Sequence, residues 1–179
     1  MSDKKKYIMT SIILGSIAAA SGILIGVTNL ITKDRIVENE NNKISNGMKE
    51  IFQQESIKFE GFELKDAGIN GEYKYVNYVY VVSDASGNEL GCAFKTSGSN
   101  MYGKISLIIG YDKENQEFKN LSIITNEQTY ATTLVDNYIN PLNDGDISID
   151  DVNCGATYGA KLVRDMVSEG QQALEEYYK

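Results

Sequence analysis

Tyr73-Lys74-Tyr75-Val76-Asn77-Tyr78-Val79-Tyr80-Val81-Val82 is the stretch on which the fold turns. It is dense in aromatic and β-branched residues, the types that suit a pleated, half-buried surface. Asp84-Ala85-Ser86-Gly87-Asn88 follows as a hairpin turn, and Glu89 to Lys95 reads as the returning strand. Beyond the loop Ser97–Asn100, Lys104-Ile105-Ser106-Leu107-Ile108-Ile109-Gly110-Tyr111 predicts a third, largely buried strand, and Glu117 to Thr125 a fourth. The connections are short, so the expected sheet is an antiparallel meander.

Helices flank this β-rich region. Upstream, Ile36, Ile44, Met48, Ile51 and Phe52 recur at near-helical spacing, which predicts an amphipathic helix over 36–58. Gly61 to Gly71 carries loop signals. Downstream, Thr129 to Tyr138 reads as a short helix and Asn140–Asp146 as a polar, turn-rich loop. The last helix is expected from about Ala156 to Tyr177, with Ala160, Val163, Met166, Val167, Ala173 and Leu174 covering the sheet. The class is α+β.

The N-terminus is of another character. No charged residue occurs from Tyr7 to Thr32, and most positions are apolar. A helix of this length spans a ~30 Å hydrocarbon core. Lys4, Lys5 and Lys6 precede it, and the positive-inside rule places that end in the cytoplasm. A cleaved signal peptide is the alternative, since Ala18-Ala19-Ala20 offers small residues, but the apolar run continues well past them. Gly22 and Gly26 form a small-xxx-small pair that favours close approach of another helix. The expected organisation is a cytoplasmic segment 1–6, a transmembrane helix 7–32, a stalk helix and linker 33–60, and a folded domain 61–179.

Charge and composition exclude several chemistries. Beyond Arg35 the chain carries 12 basic and 23 acidic residues, a net charge of −11, which argues against nucleic acid and against docking on anionic lipid. The chain has no histidine, which removes histidine-ligated haem and histidine-based triads. Cys92 and Cys154, the two cysteines, could pair or stay reduced; they are too few for an iron–sulfur cluster held within this chain, and no zinc spacing is present.

One motif carries chemistry: Asp151-Val152-Asn153-Cys154-Gly155-Ala156-Thr157, directly before the last helix. The Thr157 hydroxyl can be esterified. A phosphate on it would face the unpaired N–H groups at the positive end of the helix dipole. The plainer reading makes Thr157 an N-cap.

Asp151-x-x-Cys154-Gly155-Ala156-Thr157 resembles the flavinylation motif Asp-x-x-Ser/Thr-Gly-Ala-Thr. That motif belongs to the FMN-binding domains of the RnfG family, from the Rnf ion-translocating electron transport complex, and of the related flavoprotein of the Na⁺-translocating NADH:quinone reductase. The order of features is also similar: a basic start, one membrane helix ending in Asn29-Leu30-Ile31-Thr32, a stalk helix, Leu90–Phe94 and Met101–Ile105 around a Gly-Tyr-Gly-like loop, and Gly110-Tyr111-Asp112.

The resemblance implies FMN joined by a phosphodiester to Thr157, made by a flavin transferase that uses FAD and Mg²⁺. Asp151 would then serve recognition by the transferase or hold its Mg²⁺, and Gly155 and Ala156 keep the approach open. Tyr158 and Tyr130 stack on the flavin ring or pack in the core. Glu127 is a candidate hydrogen-bonding group or a solvated strand-end acid. Cys154 stands where the family has Ser or Thr, Tyr158-Gly159 replaces the usual aliphatic–Thr pair, and Glu127–Thr132 retains only the acid of the family's Glu-Thr-Pro-Gly-Leu-Gly segment.

The implied function is a membrane-anchored electron carrier, a redox subunit rather than an independent enzyme, in an Rnf-type ferredoxin:NAD⁺ oxidoreductase that moves Na⁺ or H⁺ with other membrane subunits. A free-standing anchored flavin shuttle and a cofactor-free assembly module remain the alternatives.

Overall fold

The computed structural model describes residues 3–179. Met1, Ser2 and the side chains of residues 3, 4, 6, 30 and 34 lie outside the described part, and with them most of the expected cytoplasmic segment. The chain divides into two compact units, Met1–Asn42 and Lys43–Lys179.

The first unit consists of the greater part of helix α1 (Asp3–Phe52). It contains a segment long and apolar enough to cross a membrane. Its large side chains stand open, with Leu14, Leu24 and Ile25 about two-thirds exposed or more. An apolar surface of this extent is stable only against lipid or other helices. Three of its hydroxyls are satisfied internally: Ser16 Oγ donates to the Ile12 carbonyl, Thr28 Oγ1 to that of Leu24 and Thr32 Oγ1 to that of Thr28, each at 2.8 Å. This back-bonding removes most of the cost of placing them in hydrocarbon. Among the described residues nothing lies within 4 Å of where a Cβ on Gly22 or Gly26 would stand, so that small-residue face has room for a neighbour.

The second unit is a five-stranded antiparallel sheet in sequential order, β1 (Ile57–Phe62), β2 (Val76–Asp84), β3 (Glu89–Asn100), β4 (Gly103–Asp112) and β5 (Phe118–Asn126). The meander is as the sequence predicts, with one strand more. β1 falls partly in the span 36–58 that reads as helix. The helix stops at Phe52, and Gln53 turns the chain at φ +53°. Gly61 reads as a loop residue but lies inside β1, because the rings of Tyr78 and Tyr80 occupy the space a side chain would need. Likewise Ser97-Gly98-Ser99-Asn100 is strand, not loop: it pairs with β4 to the hairpin's tip, and Met166, Leu162 and Tyr75 cover Gly98.

Both faces of the sheet are covered, so the central strands are apolar on both sides. Side chains alternate between two cores. Ile105, Leu107, Ile109 and Tyr111 of β4 join Cys92 and Phe94 under α4 (Thr157–Tyr177). Ile108 and Ala93 meet Ile44, Met48, Ile51 and Phe52 at the end of α1. Met48 is fully buried there. Met48→Ala should cost about 3 kcal/mol through lost burial and a cavity, read as a shift in the urea midpoint of the purified chain.

Between β5 and α4 the chain forms α2 (Ala131–Leu134), one π turn (Val135–Ile139) and α3 (Asn140–Asp144). Asn140–Asp144 thus differs from the expected loop. Pro141 sits at the start of α3, where its missing N–H costs nothing. Its ring crowds the carbonyl four residues back, and the preceding turn is widened to a π turn. Gly145, at φ +78°, ends the helix in the left-handed conformation.

Glutamates on α4 tie down the irregular segment before β2. Glu169 Oε1 accepts from the amides of Tyr75 and Val76 at 2.5 and 3.0 Å. The Glu176 carboxylate accepts from the amides of Asn70 and Gly71 and from the Tyr73 hydroxyl. The Asn70 amide first, then the Tyr73 hydroxyl, hold the Glu176 carboxyl below its ordinary value of 4.5. Burial and the same hydrogen bond push the Tyr73 phenol up to about 12.

A lowered carboxyl pKa gives stability that is complete above the unfolded value and disappears as pH falls through the folded one. The stability difference between the parent chain and Glu176→Gln should therefore be constant above about pH 5 and shrink below about pH 4.5. Urea titrations across pH 3–7 check this, and a difference independent of pH would refute the role.

Candidate functional site

The predicted site residues converge on the start of α4, where three segments meet. Asp151 opens the approach. Its Oδ2 accepts from the Ser148 amide at 2.8 Å and its own amide donates to the Ser148 carbonyl, closing a turn. The residue itself is exposed. Cys154 is partly buried, and its carbonyl accepts from Asn137 Nδ2 at 3.1 Å. Both Cys92 and Cys154 are free thiols. Gly155 takes φ +85°, a left-handed turn that glycine enters without strain, and it aims the chain into the helix.

Ala156, not Thr157, is the N-cap, and it supplies no capping side chain. Thr157 is the first helical residue. Among the described residues its hydroxyl has no hydrogen-bond partner, which removes the plainer reading of that side chain as a cap. The first backbone bond of the helix runs from the Ala160 amide to the Ala156 carbonyl at 3.0 Å. The amides of Thr157, Tyr158 and Gly159 are therefore left as open donors at the positive end of a 21-residue helix.

These residues line a recess of about 260 Å³ whose walls also include Tyr102, Gln128, Tyr130 and Leu134. Tyr102 stands at the centre of an aromatic trio. Its ring centroid is 5.7 Å from that of Tyr130 and 5.5 Å from that of Tyr158. Tyr130 and Tyr158 are each about half exposed, at 52% and 58%. With Met101 beside Tyr102, they are the exposed large apolar side chains of the second unit among the described residues. Aromatic side chains left open around one concavity mark a binding surface.

The walls are held in place from three directions. Tyr102 is presented by the tip of the β3–β4 hairpin, where its amide is fixed by Asn100 Oδ1 at 2.8 Å. Asn100 Nδ2 in turn donates to the Tyr158 carbonyl at 3.1 Å. The Tyr102 carbonyl accepts from the Thr129 amide, so the tip also carries the segment leading to Tyr130. Gly159 has no room for a side chain, since Leu134 would be 2.9 Å from its Cβ; this glycine lets α4 close against α2.

Of the predicted residues, Gly155, Ala156, Thr157, Tyr158 and Tyr130 share the recess. Asp151, Cys154 and Glu127 do not line it. Glu127 lies at the end of the β5 segment with an exposed side chain and its amide on the Lys104 carbonyl at 2.8 Å. Sequence reasoning missed Tyr102, Gln128, Leu134 and Gly159 as wall residues. Tyr102-Gly103 had a signal in the Gly-Tyr-Gly-like loop; Gln128 had none, because its burial arises only when hairpin and helix meet.

Residues 1–51 match the family model of the RnfG N-terminal region. The match spans under a third of the chain and is a likeness of its N-terminal region. It covers α1 to within one residue of its end, so the geometry from Phe52 onward stands on the structure alone. No curated protein matches the chain.

Proposed function

We propose that this chain is an RnfG-type subunit that carries FMN on Thr157 and relays electrons within an Rnf-type complex that couples their flow to Na⁺ or H⁺ movement. The observation that carries the reading is the unpartnered Thr157 hydroxyl, set among open helix amides at the edge of a recess with three tyrosines.

The residues present fit the group. A phosphodiester at Thr157 Oγ1 is an anion beside the Thr157, Tyr158 and Gly159 amides. A planar ring has Tyr102, Tyr130 and Tyr158 to lie against, and aromatic contacts of this kind contribute about 0.5–1.5 kcal/mol each. The recess is slightly smaller than the ~300 Å³ of the smallest ordinary ligand pockets, which suits a tethered ring that leaves one edge open to a redox partner. FMN, when bound, supplies the one- and two-electron chemistry. The chain supplies the tether, the stacking surface and the neutralising amides.

Attachment is a group transfer from FAD with a flavin transferase and Mg²⁺. The Thr157 oxygen bonds to the FMN-side phosphorus, the pyrophosphate link breaks, AMP leaves and the hydroxyl proton is released. Asp151 is exposed and does not line the recess, which supports a part in recognition by the transferase over one in holding the flavin. Lys4, Lys5 and Lys6 favour a cytoplasmic N-terminus, which puts the second unit outside the cytoplasm. There a covalent tether prevents loss of the cofactor and keeps it at a high local concentration near its partners.

Mass spectrometry of the chain co-produced with a flavin transferase tests the reading. An FMN adduct on the peptide containing Thr157 is expected, and an unmodified peptide would sink it. Co-purification with the other membrane subunits of the complex tests the setting.

A further inference from the structure

Gln128 is a buried polar residue that no motif explains. It is 6% exposed, yet it forms part of the recess wall. Its Nε2 donates to the Gly103 carbonyl, and its amide hydrogen bonds to Asn126 Oδ1 at 3.2 Å. Donation to a carbonyl fixes the amide's orientation, so Oε1 points the other way as an acceptor. Oε1 faces the first turn of α4, 3.5 Å from where a Cβ on Gly159 would stand. Among the described residues it accepts no hydrogen bond. No enclosed side-chain polar atom of the described residues lacks a partner, so Oε1 is open, and what it opens onto is the recess.

An amide oxygen of a buried, fixed side chain that pairs with nothing in the protein and opens onto a recess is a ready acceptor, and a ligand that displaces water from it must supply a donor or lose a hydrogen bond. We infer that Gln128 is a positioning residue that accepts a hydrogen bond from a neutral N–H or O–H donor of the molecule held in the recess. This rests on the flavin reading above. An oxidised flavin offers two kinds of donor: the single N–H of its pyrimidine ring and the hydroxyls of its ribityl chain. The Gly103 bond makes Gln128 rigid and couples it to the hairpin tip that presents Tyr102, so one side chain sets both the polar and the stacking contact.

The test uses the full-length, unflavinylated chain in detergent, titrated with three free probes followed by flavin fluorescence quenching. Riboflavin carries both donors, lumiflavin only the ring N–H, and 3-methyllumiflavin neither. Gln128→Met is expected to weaken binding of the probe with the paired donor about three- to tenfold. A loss for lumiflavin but not for 3-methyllumiflavin assigns the ring N–H. A loss for riboflavin alone assigns the ribityl hydroxyls.

An equal loss for all three probes would reduce Gln128 to a structural brace, and no loss for any, or no saturable binding to the parent chain, would overturn the inference outright. The flavin reading is judged separately, by the Thr157 adduct in the parent chain. An adduct with no probe selectivity leaves that reading standing and removes this one, while selectivity without an adduct does the reverse for covalent attachment.

Discussion

Thr157→Ala should abolish the proposed covalent flavin: co-produced with a flavin transferase, the variant is expected to carry no FMN adduct, and its denatured gel band to show no flavin fluorescence. The expected loss is complete, because the methyl group has no oxygen to form the ester. The variant should fold as well as the parent. Among the described residues the Thr157 hydroxyl has no hydrogen-bond partner, the cap position belongs to Ala156, and alanine is a better helix former than threonine. The change in stability should stay within about 0.5 kcal/mol. Thr157→Ser keeps the oxygen at the same place on the helix and should keep part of the adduct. Intact-mass spectra of the three proteins, with thermal midpoints, separate loss of the attachment atom from loss of the fold. An adduct that survives in the alanine variant would mean another residue is the acceptor.

Gly103→Ala should be the most damaging single-methyl change near the site, at about 3 kcal/mol or more. Two independent causes add. The backbone at Gly103 has φ +133°, a region closed to side-chain-bearing residues. A Cβ there would also lie 2.1 Å from the Glu127 carbonyl oxygen, and backbone cannot swing aside as a flexible side chain can. The consequence reaches the recess, because Gly103 lies between Tyr102 and Lys104 and its carbonyl receives Gln128 Nε2. A displaced tip moves Tyr102 away from Tyr130 and Tyr158 together. Urea unfolding should show the loss of stability, and flavin anisotropy in the loaded protein should show a less ordered ring. A variant with unchanged stability would contradict the close packing of hairpin and β5 end.

Much of this was legible from residue patterns. The uncharged run Tyr7–Thr32 specifies a membrane-length helix, because hydrocarbon thickness and helical rise leave little choice. β2, the core of β3, β4 and β5 were legible because β-branched and aromatic residues are concentrated there, with turn residues between them. β1 was not. Its Gly61 mimics a loop, and the reason for glycine is a pair of tyrosine rings on the neighbouring strand. The helix Asn140–Asp144 was hidden for a related reason: Pro141 signals a break, but within the first turn of a helix it is permitted.

The sequence by itself determined the chemistry available at one point: a hydroxyl at the start of the last helix, preceded by Asp151, Gly155 and Ala156, in an acidic chain with an apolar N-terminal helix. Those are local properties, set by residue type, helix geometry and spacing. Only the tertiary structure decided what surrounds that hydroxyl. Tyr102, Gln128, Tyr130 and Tyr158 come from separate segments, and no local pattern requires them to meet. They are brought together by the β3–β4 pairing, by the bonds of Asn100 and Gln128, and by the close approach that Gly159 permits. Burial is a property of the assembled surface, which is why Gln128 looks like an ordinary polar residue in the chain and becomes an open acceptor only in the fold.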